Sequence, residues 1–232
     1  MSVPNEFLGL LALELRKVIL PITETARILR IQMRGGTDEV TAARLERQVA
    51  RMERLIADLH DVSLVTRGLL EIRPQRVLLA PLIEQAIDTI DSITDRERVL
   101  EVTHLPYPIV VEADSERLRQ VIEHLLINAC KFTDTGGRIA LSVDVTGREV
   151  AISVHDNGIG VAPERLPQLF DPFPAAVTSA EPPSDGLGIG LTLVRAIVEL
   201  HGGTLAARSE GIGRGAEFIV TLPMVNGRYN VH

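Results

Sequence analysis

The chain has 232 residues, a formal net charge of −7, 3% aromatic residues, no tryptophan and a single cysteine. That length supports one large or two modest domains, with a core that must be aliphatic. The acidic balance argues against a nucleic-acid binder, the lone cysteine excludes an internal disulfide framework and fits a reducing cytoplasm, and no apolar run reaches the roughly 18 residues of a spanning helix.

The first element runs from Glu6 to Met33. Phe7, Leu11, Leu15, Val18, Ile22, Ala26, Leu29 and Met33 recur at alternate spacings of four and three, which is one side of a helix. Phe7 to Leu13 has the look of a short signal core, but Glu14, Arg16 and Lys17 interrupt it, so a cytosolic helix is expected. Gly35-Gly36-Thr37-Asp38 supplies a stop and a new cap, and Leu45, Val49, Met52, Ile56, Leu59 and Val62 repeat the pattern. Two such helices predict an antiparallel hairpin over residues 1–70. A hairpin cannot enclose its own apolar stripe, so a homodimeric four-helix bundle is the expected solution.

Arg73-Pro74 ends that pattern. The next stretch predicts a strand at Arg76–Leu79, a helix at Pro81–Ser92, strands at Val99–His104 and Ile109–Glu112, and a helix at Asp114–Lys131 capped by Asp114 or Ser115. Strands follow at Arg138–Val145 and Glu149–His155 across a Thr146-Gly147 turn. Phe170–Asp185, rich in proline, predicts a loop.

In Asp185-Gly186-Leu187-Gly188-Ile189-Gly190, glycines at alternate positions remove the Cβ atoms that hold a polyanion off the backbone. Leu191, Val194, Ile197, Val198 and Leu200 then predict a helix whose N-terminal dipole faces the same anion. His201-Gly202-Gly203 ends this helix, and Thr204–Ser209 with Ala216–Leu222 predict a closing hairpin. Residues 74–224 thus read as an α/β domain with a mixed sheet, and 225–232 as a tail.

Upstream, Asn128-Ala129-Cys130-Lys131-Phe132 closes a helical run and Asp156-Asn157-Gly158-Ile159-Gly160 follows a strand. With Leu118–Thr133, His155–Gly160, Leu169–Phe173 and Gly186–Leu191, the chain resembles the catalytic core of a sensor histidine kinase: a dimerisation and phosphoacceptor hairpin followed by an ATP-binding domain of the kind shared with DNA gyrase and MutL. The resemblance implies that Asp156 accepts a hydrogen bond from the exocyclic amine of adenine and that Gly158 and Gly160 let the loop pass the base. Asn128 would offer its carbonyl to Mg²⁺ and Lys131 would neutralise phosphate. Phe170 and the proline-rich segment would hinge over the ATP, while Gly186, Gly188, Gly190 and Leu191 would bind its phosphates. Alone, each has an ordinary reading: Asp156 as a turn former, Asn128 as a helix-end cap, Lys131 as a solvated charge.

Three positions depart from the family pattern. Leu13 stands at the phosphoacceptor histidine, and leucine has no nucleophilic atom. Glu14, which resembles the family's general base, is left with nothing to deprotonate, and Lys17 replaces the Thr or Asn that orients a phosphatase water. His124, one turn before Asn128, stands where kinases carry Asn and gyrase-type ATPases a catalytic Glu; it either accepts a proton from an attacking water or fills an Asn-like supporting role. His60, the hairpin's sole histidine, is expected to pack at the core or its boundary.

The expectation is a cytoplasmic, homodimeric, histidine-kinase-like protein that binds ATP and Mg²⁺, does not autophosphorylate at the usual site, and regulates a response regulator or another signalling partner. The alternatives are a kinase acting in trans on a partner protein, or an ordinary histidine kinase with a substitution at position 13.

Overall fold

The computed structural model describes residues 19, 22–23, 37–93, 99–103, 108–171 and 189–224. Leu13, Glu14, Lys17, Gly186, Gly188 and most of the proline-rich loop lie outside these residues. The chain divides into two compact units, with the first boundary between Leu70 and Glu71.

In the first unit, helix α1 spans Thr37–Thr66. Val49, Ile56, Leu59 and Val62 are buried, as their spacing predicts, but Met52 of the same stripe is 46% exposed. His60 is also exposed rather than packed: the buried row passes through Leu59, Val62 and Ser63, and the ring lies on its flank, 3.9 Å from Asp61. Ile19, Ile22 and Thr23 of the preceding segment are helical, and the Thr23 hydroxyl donates to the Glu53 carboxylate at 3.3 Å.

The second unit is a two-layer α/β arrangement. Its elements are β1 (Gln75–Leu78), α2 (Leu79–Ile93), β2 (Val99–Val102), β3 (Val110–Ala113), α3 (Ser115–Phe132), β4 (Arg138–Thr146), β5 (Glu149–Asp156), α4 (Gly190–Leu200), β6 (Thr204–Arg208) and β7 (Ala216–Pro223). The main sheet has the order β2-β4-β5-β7-β6; β2 runs parallel to β4 and the other neighbours are antiparallel. A separate ribbon pairs β1 with β3.

Strand alternation explains the layers. Leu141, Val143, Ile152, Val154, Phe218 and Val220 point to one buried face, while Ala140, Asp144, Ala151, His155 and Thr221 on the other face are small or polar and suit solvent. Helix α3 packs on β5 and α4 on β6, burying Leu118, Val121, Ile122, Leu125 and Leu126 from the first and Leu193, Val194, Ile197 and Val198 from the second. Each such side chain contributes about 1.5–3 kcal/mol.

The ends of α3 and α4 are tied together by one side chain. Asp114 caps α3, its carboxylate accepting from the Glu116 and Arg117 N–H groups at 3.2 Å and from the Arg73 N–H at 2.9 Å. Burial acts to raise its pKa, but these three donors and the Arg117 charge prevail and hold it below the ordinary carboxylate value. Buried His201 ends α4, as its sequence context suggests. Its Nδ1 lies 2.7 Å from the Ile197 carbonyl and its Nε2 accepts from the Asp114 N–H at 2.9 Å, which makes Nδ1 the protonated nitrogen. Gly202, at φ 71°, then lets the Gly203 N–H return to Val198 O at 3.0 Å.

Candidate functional site

The row of inward-facing residues on β5 runs Val150, Ile152, Val154 and then Asp156. Asp156 takes the next place in an apolar ladder, opposite Ile139 and Ala216, and is 3% exposed. Burial pushes its carboxyl above the ordinary value, opposed by hydrogen bonds from the Gly158 N–H, at 2.9 Å, and the Ala216 N–H, and by neighbouring His155. A carboxylate buried at such a cost is a group that can accept a ligand's hydrogen-bond donor as well as the chain's own.

The turn after Asp156 presses against the end of α3. Ile159 N–H donates to Phe132 O at 3.0 Å, and a Cβ on Gly158 would lie 2.0 Å from that same oxygen, so only glycine fits. Gly160, at φ 68°, likewise abuts the Gly211 carbonyl.

Three half-buried or exposed residues of α3, His124, Asn128 and Lys131, follow one another at helical spacing along the strip left over by its buried face. His124 reaches the start of α4: a Cβ on Gly190 would meet its Nδ1 at 3.3 Å. Lys131 lies over the ring of Phe132, 4.7 Å from its centroid. In the first turn of α4, Leu191 is half-buried and the Thr192 hydroxyl is buried with no hydrogen-bond partner among the described residues. Phe170 is half-buried in the turn after a short 3-10 segment, Leu166–Gln168.

Thus α3, the Asp156 turn and the first turn of α4 meet through Phe132–Gly158 and His124–Gly190. A helix start beside a buried hydroxyl with no partner among the described residues suits a polyanion, and a buried carboxylate at the other end suits a ring bearing an amine. Among the described residues no cluster of three or more His, Cys, Asp or Glu is placed to hold a metal ion. A magnesium ion here would rest on Asn128 and on ligand oxygens, which matches that ion's sparing use of protein ligands.

Residues 113–226 match the family described as histidine kinase-, DNA gyrase B-, and HSP90-like ATPase. The chain carries a histidine-kinase-like ATPase domain.

Relatives extend the likeness beyond that domain and support a sensor histidine kinase catalytic core. The sensor histidine kinase AtsR of Burkholderia thailandensis is 30% identical over 225 residues, covering 95% of this chain and 37% of the relative. The adaptive-response sensory kinase SasA of Parasynechococcus marenigrum is 36% identical over 232 residues, 97% of this chain and 58% of the relative. The chain therefore spans roughly a third to three fifths of the length of such relatives. The crystal structure of full-length ShkA in complex with AMPPNP superposes with a TM-score of 0.70 at 26% identity, covering 97% of this chain and 47% of that one. Acinetobacter baumannii histidine kinase AdeS, at 24% identity and a TM-score of 0.61, shares the fold.

Two parts of the candidate site were not legible in the sequence. Thr192 carried no signal beyond following the glycine strip. The Gly211–Gly215 loop, which backs the Asp156 turn, was legible only as a hairpin connection; its alternate glycines were the available clue.

Proposed function

We propose that the ATPase domain binds ATP with Mg²⁺ and that the chain, with Leu13 at the phosphoacceptor position, serves as a regulatory, histidine-kinase-like protein of two-component signalling. The observation that carries the nucleotide reading is Asp156, a carboxylate buried in an apolar ladder at the mouth of the sheet. It would accept the amine of adenine. Asn128 would supply an oxygen to the metal, Lys131 a positive charge, and the Gly190 end of α4 its backbone N–H groups; Gly186 and Gly188 would extend that cradle. The AMPPNP held by ShkA, a structure of the same architecture, supports the assignment. Bound ATP supplies a transferable phosphoryl group whose charge the magnesium ion offsets.

The hairpin of residues 1–70 would pair with a second copy, covering exposed Met52, and nucleotide binding would alter what the bundle presents to a response regulator in the cytoplasm. Loss of the imidazole at position 13 removes the usual acceptor. Calorimetry with ATP and magnesium should give saturable binding, and radiolabelled ATP should leave the isolated chain unlabelled. Transfer of label to a partner protein would favour the kinase acting in trans; no heat of binding under any condition would remove the nucleotide reading.

A further inference from the structure

We propose that Ser209 is a positioning residue for the nucleotide base, holding in shape the turn that follows Asp156. The inference rests on the reading that this turn receives adenine.

The turn from Asn157 to Val161 has two glycines and so little conformational preference of its own. Its shape comes from behind. Gly213 N–H donates to Ile159 O at 2.7 Å, Gly215 N–H to Gly158 O at 3.2 Å, and Val161 N–H to the Ser209 hydroxyl at 3.0 Å. The backing loop is equally short of intrinsic shape, with Gly211, Gly213 and Gly215 at φ 119°, 75° and 69°. Ser209 bonds to both. Its Oγ donates to Gly215 O at 2.6 Å and accepts from the Gly211 N–H at 3.3 Å as well as from Val161. A hydroxyl has one proton and two lone pairs, and all three are used here.

Alanine at 209 would leave the Val161 and Gly211 N–H groups and the buried Gly215 carbonyl without that partner. Two glycine-rich segments would then be held by fewer bonds, and the bound shape would be one of several. Side chains at the loop tip do not compensate, since Ile212 is 72% exposed and Arg214 is exposed. The loss should therefore fall on ligand affinity, because the ladder of β5 and β7 stays intact beneath it.

The test is calorimetry of the full chain with ATP and magnesium on Ser209→Ala, and on the isosteric pair Ser209→Thr and Ser209→Val. Ser209→Ala and Ser209→Val should bind about tenfold more weakly than wild type, while Ser209→Thr, which keeps the hydroxyl, should bind within about threefold. Ile83→Val, a core change on α2, should melt earlier yet bind ATP as wild type does. Should the hydroxyl-free variants fail to fold, hydrogen exchange on wild type decides: ATP should slow exchange together at Val161, Gly211 and Gly213. Wild-type affinity in folded Ser209→Ala and Ser209→Val, or no added protection at those three amides when ATP is bound, overturns the role of Ser209. Absence of ATP binding by wild type would instead remove the nucleotide reading, and this inference with it.

Discussion

At the Asp156 end of the site, glycines stand where any Cβ would overlap backbone: 2.0 Å from Phe132 O at Gly158, 2.1 Å from Gly211 O at Gly160 and 1.9 Å from Asp156 O at Gly215. At the α4 end, a Cβ on Gly190 would meet, among the described residues, only the His124 ring, at 3.3 Å, and a ring can turn. At the first end main chain packs on main chain, so a Cβ added at any of these glycines must disturb the fold. The second is side chain against helix start, so it can change while the fold stands. Filling a glycine should therefore register as stability at the first end and as affinity at the second.

The largest effect is expected from Gly215→Ala. The position has φ 69° as well as no room, so the new Cβ meets both strain and overlap. Urea denaturation should show a loss of about 3 kcal/mol or more. A loss below about 1 kcal/mol would mean that the two loops part easily, and the contrast between the ends would fail.

Next comes Asp156→Asn, which should weaken ATP binding about 10- to 100-fold by replacing a charged acceptor, while leaving the protein as stable or more so. The pH dependence carries the same information. Because its folded pKa lies above the unfolded value, native protein holds the proton between the two, and stability falls as pH rises through that window. ATP affinity should move the opposite way, rising with pH as the acceptor ionises. In Asp156→Asn both trends should flatten. A wild-type affinity indifferent to pH across that window would argue that the carboxylate does not meet the ligand.

Asp114 gives the contrasting case, a carboxylate that serves structure. Its folded pKa is depressed, so its contribution is present above the unfolded pKa and lost as pH falls through the folded one. Asp114→Ala should cost about 1–2 kcal/mol in chemical denaturation and leave ATP affinity unchanged well below the melting temperature.

These two carboxylates also mark what a reader of the sequence can see. The cap was legible as Asp114 or Ser115, because a polar pair before Glu116-Arg117 and an apolar period of 3.6 needs no tertiary knowledge, and the structure gives the role to Asp114. Strands β4 and β5 were visible because only one sheet face is buried, which gives clean alternation. Asp156 was visible as a strand-end acid, but not as a member of the buried ladder, since that depends on Ile139 and Ala216 arriving beside it. The parallel pairing of β2 with β4 and the bond from Val161 to Ser209 were hidden for the same reason: their partners are distant in the chain. Met52 was assigned to a buried stripe by period alone, and period does not say what covers a stripe.

The smallest effect on the fold, and the sharpest separation of the two ends, should come from Gly190→Ala. The residue opens α4 at an ordinary backbone angle, and alanine is the better helix former, so stability should stay level or rise by up to about 1 kcal/mol. The added methyl must push the His124 ring by a few tenths of an ångström and lie over the N–H groups that would face phosphate. ATP affinity should therefore fall several-fold in a protein that melts no earlier than wild type. A variant that loses stability in step with affinity would show that this end, too, is bound into the fold.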